Sequence, residues 1–304
     1  MSLSQTPVHY SGKTALISGG AEGIGLALAR EFGSLGMNVV IADIDEAELN
    51  KAYQALSAEN INVLACKLDV TDYSQWEGCV AQTIAKFGKL HMVVNNAGVG
   101  GIPGKIERTD HSIWKWVVDV NVMGVLFGTQ VATPEIKKHG EGGWIINVAS
   151  MAGMMGVPYA SAYAATKAAV VSMTESWAVE LKSHDIHVSA LCPAFVKTRI
   201  HESTRNKQAK YASNEPRKDF TAEEKARYKK GAARAAAFVE SGIAPELLAK
   251  RVVEALGTKQ QYIFTHPNYK QVAGYRGALL KKAFEDAEQS ELVKHLINDD
   301  IPML

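Results

Sequence analysis

Short apolar runs alternate with longer segments of helical spacing from residue 13 to about residue 193. Six runs have strand length, and in chain order they are KTALIS (13–18), NVVIAD (38–43), VLACKLD (63–69), LHMVVN (90–95), WIINVAS (144–150) and HVSALCP (187–193). Helical length and apolar spacing mark four segments between them, namely residues 24–36, 73–87, 112–135 and 163–184. Strands that are apolar throughout are typical of a parallel sheet buried on both faces. The pattern therefore predicts an α/β fold, a single Rossmann-type domain over residues 1–304 whose doubly wound parallel sheet is flanked by helices.

The pattern changes after Pro193. Residues 197–230 hold 11 Lys and Arg against 5 Asp and Glu, and their apolar periodicity is weak. We expect a helical insertion after the sixth strand, over about residues 197–240, with few buried contacts and the role of a mobile substrate lid. Two solvated surface helices are the alternative. A last helix (245–256), a seventh strand (QYIFTH, 261–266) and a polar helical tail over about residues 267–304 complete the chain.

Composition narrows the class of partner. The 304 residues carry a formal net charge of +1, with 47% hydrophobic and 21% charged residues, as in an ordinary globular protein. Near-neutral charge favours neither nucleic acid nor a membrane surface as a partner. The three cysteines are widely spaced without a CxxC pair, which is typical of a reducing compartment, and we expect no metal site. The first residues lack an apolar segment of signal-peptide length, so we expect a cytoplasmic protein.

A glycine-rich stretch, SGGAEGIG (18–25), follows the first strand and opens the first helix. Gly19 allows a tight turn, Gly23 allows the backbone to approach a phosphate, and Gly25 allows the helix to pack closely. The helix N-terminus adds free N–H groups that attract an anion. In this strand–turn–helix context the stretch predicts a site for the pyrophosphate of a dinucleotide.

Asp43 ends the second strand, at the distance from the glycines where a dinucleotide site places an acidic residue. Its carboxylate can accept hydrogen bonds from both hydroxyls of the adenosine ribose and would repel a 2′-phosphate. No Lys or Arg lies between Gly19 and Gly25 to bind such a phosphate. The sequence therefore favours NAD over NADP. The alternative for Asp43 is a helix cap beside Asp45.

Tyr163 and Lys167 are four residues apart in a predicted helix and share one of its faces. A free phenol has a pKa of about 10, too high for a base at neutral pH. An ammonium at about 4 Å contributes roughly 4 kcal/mol at an effective dielectric near 20, which lowers the phenol pKa by up to about three units. A phenol acidified in this way can act as a general acid/base. Tyr159 lacks this relation to the lysine.

Five motifs in this order resemble the short-chain dehydrogenase/reductase family. They are the glycine loop GxxxGIG at 19–25, NNAG at 95–98, Asn121 in a helix, Ser150 after a strand, and YxxxK at 163–167. The resemblance covers residues 13 to about 200 and returns near 245–266. It implies hydride transfer between an alcohol or ketone and a nicotinamide cofactor, with Tyr163 as general acid/base.

The resemblance also implies roles for the neighbours of Tyr163. Ser150 is expected to hydrogen-bond the reacting oxygen, and Lys167 to hold the nicotinamide ribose. Asn121 is expected to distort its helix and border a water path behind Lys167. The implied catalytic set is therefore Asn121, Ser150, Tyr163 and Lys167.

Further positions match the family's cofactor site. With Tyr163 and Lys167, the implied cofactor-binding residues are Ser18, Gly19, Gly23, Ile24, Gly25, Asp43, Asp69, Val70, Asn96, Gly98, Pro193, Val196 and Thr198. Asp69 and Val70 are expected at the adenine, with strand-end packing as the alternative for Val70. PAFVKT (193–198) is expected to hold the carboxamide, although it has Ala194 where the family commonly has glycine.

The implied substrate-binding residues are Ser150, Met151, Tyr159 and Phe195, although packing is the favoured role for Tyr159. Methionines near this cleft suit bulky apolar ligands. The ending and the insertion weakly resemble members that oxidise benzylic alcohols of lignin-derived aryl ethers. We therefore expect a bulky, apolar or aromatic secondary alcohol or ketone. A reductase of carrier-bound 3-oxoacyl or sterol-like substrates and a non-catalytic nucleotide-binding regulator remain alternatives.

The family resemblance also implies an assembly. Its members usually pair through the helices that carry Asn121 and Tyr163, so a homodimer or homotetramer is expected.

Overall fold

The computed structural model describes residues 9–213 and 221–300, so residues 214–220 of the predicted insertion lie outside the described chain. Its seven strands are β1 (Thr14–Ser18), β2 (Asn38–Asp43), β3 (Val63–Lys67), β4 (Met92–Asn95), β5 (Gly143–Val148), β6 (Ile186–Cys192) and β7 (Tyr262–Phe264). They form one sheet in the order β3-β2-β1-β4-β5-β6-β7, and all pairings are parallel. The predicted Rossmann-type sheet is confirmed, and each predicted strand ends within two residues of the observed one.

Nine α-helices lie in the described residues. They are α1 (Gly23–Ser34), α2 (Glu46–Ala58), α3 (Tyr73–Phe87), α4 (His111–Val118), α5 (Gly124–Lys138), α6 (Ser161–Glu180), α7 (Ala222–Glu240), α8 (Pro245–Gly257) and α9 (Lys270–Glu288). The segment predicted as one helix at 112–135 consists of α4 and α5, joined by a π-helical turn at Asp119–Met123. The sequence analysis missed α2 because its buried stripe is narrow, with only Leu49, Ala52 and Leu56 buried.

The helices cover both faces of the sheet. Leu28 of α1, Leu49 of α2 and Val252 of α8 belong to the core on one face. Trp76 of α3 and Trp116 of α4, both fully buried, belong to the core on the other face. Burial of both faces explains why the strands are apolar throughout.

One stretch, His111–Lys138, is long and apolar enough to cross a membrane by length and composition alone. Half of its most apolar window is buried inside the fold, as in the core helix of a globular protein. The π-helical turn interrupts the stretch near its middle.

The chain forms two compact units. One extends to Thr265 and contains the whole sheet, and the other begins at His266 and contains α9. The second unit corresponds to the predicted helical tail.

The expectation of few buried contacts in the insertion is wrong for its first part. Residues Ile200–Asn206 and Ala209–Tyr211 form two 3₁₀-helices, in which Ser203 and Tyr211 are buried. The Tyr211 hydroxyl donates a hydrogen bond of 2.9 Å to Asp119. This segment is anchored because its polar side chains find partners across the sheet edge, and local apolar periodicity does not reveal such contacts.

Candidate active site

The candidate residues meet at the carboxyl ends of the central strands, where parallel α/β sheets place their ligand sites. Ser18 ends β1, and Val148 and Cys192 end β5 and β6. Helix α6 brings Tyr163 and Lys167 to this edge.

Asn121 lies in the π-helical turn and is fully buried. Its Oδ1 accepts a hydrogen bond of 2.8 Å from the Val99 amide, and its Nδ2 donates to the Val99 carbonyl and to the Thr166 hydroxyl. A Cβ atom at Gly98 would lie 3.4 Å from both the Asn121 Oδ1 and the Lys167 Nζ. The helix distortion implied for Asn121 is therefore present, and Gly98 occupies the narrow space between the asparagine and the lysine.

Lys167 is buried, and its Nζ donates a hydrogen bond of 2.7 Å to the Val148 carbonyl at the end of β5. Burial lowers the pKa of Lys167 to about 8, because the ammonium loses hydration. The Nζ lies 5.6 Å from the centroid of the Tyr163 ring. The ammonium is therefore held beside the ring by a backbone acceptor.

The predicted acidification of Tyr163 by Lys167 is wrong for this structure. Burial raises the pKa of Tyr163 above its usual value of 10.0, and a hydrogen bond with Ser150 partly offsets that rise. The prediction counted the charge of the ammonium but not the burial of the phenol, which disfavours the charged phenolate. Ser150 itself is buried, accepts a hydrogen bond from the Ala152 amide and lies 3.4 Å from the Pro193 carbonyl.

The glycine loop has the geometry of a turn that only glycine adopts easily. Gly19 has φ +62° and Gly23 has φ +53°. A Cβ atom at Gly25 would lie 2.1 Å from the Gly19 carbonyl, which shows how closely α1 packs against the turn. A Cβ atom at Gly23 would lie 2.9 Å from a methyl group of Thr198. The loop therefore touches the PAFVKT segment, and Ile24 follows in the first turn of α1.

Two predicted cofactor residues hold the loop together. The buried Ser18 hydroxyl accepts hydrogen bonds from the amides of Asn96 and Ala97, at 3.1 and 3.2 Å. The Asn96 Nδ2 donates to the carbonyls of Ser18 and Gly19, both at 2.9 Å. These contacts connect β1 to β4, and cofactor contacts of Ser18 and Asn96 stay predictions.

Asp43 is oriented by the loop as an acceptor. Its two carboxylate oxygens accept hydrogen bonds from the amides of Ala21 (3.2 Å) and Asp45 (3.1 Å). The cap of α2 is Asp45, whose side chain accepts from the amides of Ala47 and Glu48, so the alternative role of Asp43 as that cap is wrong. Burial raises the pKa of Asp43, while its backbone hydrogen bonds lower it.

These features fit a dinucleotide. Helix α1 begins without a side-chain cap, so its first amides face the loop without a competing carboxylate or hydroxyl from the N-cap residue. Asp43 lies beside that terminus through the Ala21 amide. The residues that would hold the group are the loop of Gly19, Gly23 and Gly25 for the pyrophosphate, and Asp43 for the ribose.

The two residues predicted at the adenine, Asp69 and Val70, both make contacts within the protein. Val70 is buried. A Cβ atom added at Gly124 would lie 2.9 Å from a methyl group of Val70, and this close contact favours the packing alternative for Val70. Asp69 accepts hydrogen bonds from the Thr71 amide and hydroxyl, and its other oxygen lies 3.1 Å from the Lys210 ammonium.

Charged residues after β6 also reach the glycine loop. Glu22, directly before α1, forms ion pairs with Arg199 and Arg205. With the contact between Lys210 and Asp69, these pairs fasten the first part of the insertion at two places. The sequence analysis missed them because each pair joins residues more than a hundred positions apart.

The predicted substrate residues differ in exposure. Tyr159 is 63% exposed, so its favoured packing role is wrong, and its carbonyl accepts a hydrogen bond from the Gly104 amide. It lines a small groove with Ile102 and Tyr163. Met151 is buried, and its amide donates to the Pro193 carbonyl at 2.8 Å.

Phe195 carries an aromatic contact that the sequence analysis did not find. Its ring stacks on Phe238 of α7, with centroids 5.3 Å apart and planes at 20°. The guanidinium of Arg234 lies 5.4 Å from the Phe238 ring. Both phenylalanines are about two-fifths exposed, at 38% and 43%. Val196, next in the chain, is buried and pairs with Ile243 in a β-bridge.

A polar network in the core was also missed. Asn95, the first residue of NNAG, donates hydrogen bonds to Asn147 (2.8 Å) and Thr129 (3.0 Å), and Asn147 donates to Thr174. All four side chains are buried. The network joins β4 and β5 to α5 and α6, so it supports the strands and the helix that carry the site. The doubled asparagine was the available signal.

His91, His139 and Glu141 cluster at the amino end of the sheet, with potential ligand atoms within 4.8 Å of one another. The ring nitrogens are engaged: His91 accepts from the Thr14 amide and contacts Glu141, and His139 contacts the Leu90 carbonyl and the Glu141 amide. Burial lowers the pKa of His91. This arrangement is a hydrogen-bonded structural cluster.

Comparison with known proteins agrees with the fold. The family model for short chain dehydrogenases matches residues 13–209. A CLA biosynthesis dehydrogenase/reductase of Lactiplantibacillus plantarum is 32% identical, over 86% of this chain and 90% of its own length. A C alpha-dehydrogenase of Sphingobium sp. is 29% identical, over 86% and 83%.

A solved structure of a short chain dehydrogenase/reductase from Burkholderia phymatum, in complex with NAD, superposes with a TM-score of 0.84. It is 33% identical, and the match covers 91% of this chain and 96% of that one. The fold and site define a dinucleotide-binding oxidoreductase. The chain belongs to the short-chain dehydrogenase/reductase family.

Proposed function

We propose that the protein is an NAD-dependent dehydrogenase/reductase that interconverts a bulky, apolar or aromatic secondary alcohol and its ketone. Tyr163 is the general acid/base. The observation that carries the proposal is the constellation at the end of β5, in which Ser150 hydrogen-bonds Tyr163 and Lys167 lies beside the same ring. Asn121 and Gly98 fix the space behind the lysine.

The chain's own residues supply the proton chemistry. In the oxidation direction, Tyr163 takes the proton of the substrate hydroxyl, and Ser150 hydrogen-bonds the same oxygen. The cofactor, when bound, supplies the hydride acceptor or donor. In reduction, Tyr163 returns the proton to the alkoxide oxygen. Because burial raises the pKa of Tyr163, the phenolate depends on the hydrogen bond with Ser150, which lowers that pKa.

The choice of NAD rests on Asp43. Its carboxylate is partly buried and already oriented by the Ala21 amide, so it favours ribose hydroxyls and opposes a 2′-phosphate. We expect Asp43→Ala to weaken NAD binding and to reduce the preference for NAD over NADP. Values of kcat/KM with NAD and NADP test this, and equal efficiency in the unmutated protein would argue against it.

The substrate class rests on the stacked pair of Phe195 and Phe238. Phe195 is two residues from Pro193, whose carbonyl contacts Ser150. An exposed aromatic pair on the segment that contacts Ser150 suits an aromatic or bulky apolar substrate. We expect Phe238→Ala to raise KM for an aryl alcohol several-fold more than for a small secondary alcohol.

The insertion is proposed as a substrate lid whose root is fixed and whose helix α7 moves. The root is held by Glu22 and Asp69, while α7 packs against the 200–206 helix. We expect protease cleavage in α7 to slow when NAD and a substrate analogue are bound together. Equal cleavage in both states would remove the lid role and leave α7 as a surface helix.

The deciding experiment is the replacement of each tyrosine by phenylalanine. Tyr163→Phe removes the proton donor and should reduce turnover of secondary alcohols by at least about 100-fold, the lower range for general acid/base catalysis. NAD binding should persist. Tyr159→Phe is the matched control, because Tyr159 lines the same small groove as Tyr163 but lies before α6 and is exposed. Near-wild-type turnover in Tyr163→Phe would contradict the proposal.

A further inference from the structure

Helix α9 presents its large apolar side chains to solvent. Tyr275 is 68% exposed, Leu279 54% and Phe284 72%. None of the nineteen residues of α9, all of which the structure describes, is buried. Val272, Tyr275, Leu279 and Ala283 follow at spacings of three or four, so they form one stripe. Helical stability in proteins comes mainly from packing of such a stripe, so α9 requires a partner surface.

The charges of α9 are segregated along its length. All four basic residues precede all three acidic ones: Lys270, Arg276, Lys281 and Lys282, then Glu285, Asp286 and Glu288. The first turn has no acidic residue, the last turn has no basic residue, and no side chain caps the N-terminus. This is the reverse of the arrangement that the helix dipole favours. The helix therefore does not stabilise its own ends.

A second copy of α9 in antiparallel orientation covers the exposed apolar stripe and brings opposite charges to the two ends of the helix. It places the acidic half of one helix beside the basic half of the other, at both ends, whereas a parallel copy would place like charges together. Large side chains (Tyr275, Leu279) occupy the first half of the stripe and small ones (Ala283, Ala287) the second. Antiparallel pairing therefore packs the large side chains of one helix against the small side chains of the other. We propose that α9 is an interface that pairs antiparallel with α9 of a second copy of this chain.

The charge count favours a protein surface over a lipid one. Residues 270–300 contain five Lys and Arg against six Asp and Glu, so the segment lacks the basic excess that binds anionic membranes. The exposed Leu292, Leu296 and Ile297 extend the apolar surface beyond α9. This interface uses α9, whereas the pairing that the family implies uses α5 and α6, and it does not depend on the reaction.

The first test is the mass of the full-length protein by sedimentation velocity. We expect Leu279→Asp to halve the mass of the assembly, whether the wild type is a dimer or a tetramer. Leu247→Asp, on α8, is the matched control because Leu247 is similarly exposed at 58%, and it should keep the wild-type mass. An unchanged mass in Leu279→Asp, or an equal fall in both variants, would overturn the proposal.

The second test uses charge reversal to determine whether the two α9 helices run antiparallel. Arg276 lies within the stripe, and antiparallel pairing brings it near Asp286 of the second copy. We expect Arg276→Glu to weaken association at least about tenfold, as loss of a close charge pair does. Addition of Asp286→Arg should restore it. A double variant that stays as weak as the single one would overturn the antiparallel arrangement.

The third test reads the direction of pairing from a cross-link. Proteins carrying Tyr275→Cys and Ala287→Cys are purified separately, mixed under reducing conditions in mild denaturant so that subunits exchange, returned to native buffer and oxidised; the native cysteines are buried and compete little. Antiparallel pairing predicts a disulfide between the two different variants. Disulfides that form only within the Tyr275→Cys sample would indicate parallel helices, and no disulfide would indicate another partner; either result overturns the proposal.

Discussion

Replacement of Ser150 by alanine removes the hydrogen bond that lowers the pKa of Tyr163, while the burial that raises it remains. A hydrogen bond to a charged group contributes about 1.5–3 kcal/mol. The pKa of Tyr163 should therefore rise, and each loss of about 1.4 kcal/mol corresponds to about a tenfold smaller deprotonated fraction. Oxidation requires the deprotonated phenol, so the rising limb of the rate should move to higher pH. At neutral pH the rate should fall about ten- to a hundredfold from this effect alone.

The assay is kcat/KM for oxidation of a secondary alcohol as a function of pH, followed by NADH absorbance. Ser189→Ala is the matched control. Ser189 is also buried, and its hydroxyl donates to the Gln260 carbonyl at 2.7 Å, away from the site. It should leave the apparent pKa unchanged. A Ser150→Ala profile that superposes on the wild-type profile would refute the reasoning, because Ser150 would then contribute nothing to the phenolate.

Three further predictions concern stability. Asp45→Ala removes the cap of α2 and should cost about 1 kcal/mol, or a melting temperature about 2–4 °C lower by calorimetry, while Asp45→Asn should cost less. Gly128→Ala puts a Cβ atom 2.2 Å from the Asn95 Oδ1, and denaturant titration should show a loss of about 1–3 kcal/mol. Burial disfavours the protonated form of His91, whose Nδ1 accepts from Thr14. Stability should therefore be full above the unfolded-state pKa of about 6.5 and fall below it, and melting curves of His91→Gln should lack this His91 contribution.

Much of the fold could be predicted because both faces of the sheet are buried. Each strand is a continuous apolar run bounded by polar residues, and that signal does not depend on distant contacts. Helix α2 was not predicted because most of its residues face solvent. The capping residue Asp45 and the spacing of Leu49, Ala52 and Leu56 do indicate a helix there. The placement of Tyr163 and Lys167 side by side was predictable because both lie on one helix, where spacing alone sets their relation.

What could not be predicted depends on distance between parts of the chain. The Val148 carbonyl that binds the Lys167 ammonium lies on a different element, and the burial that raises the pKa of Tyr163 comes from distant parts of the chain, so spacing on one helix did not reveal either effect. The anchors of Glu22 to Arg199 and of Asp69 to Lys210 join residues 177 and 141 positions apart. Ion pairs between residues so far apart leave no pattern in the local sequence. The basic residues after β6 were therefore predicted to make few contacts.

The order of the strands has a consequence for how the chain acquires its fold. The central strand β1 pairs with β2 on one side, but its other side pairs with β4, at residues 92–94. A chain emerging from the ribosome can complete β1, β2 and β3, yet one edge of β1 stays open until β4 has been made. At about 5–20 residues per second, that open edge persists for a few seconds after β2 emerges. Because parallel pairing between distant segments is slow and exposes unpaired edges, the growing sheet is open to aggregation during this interval.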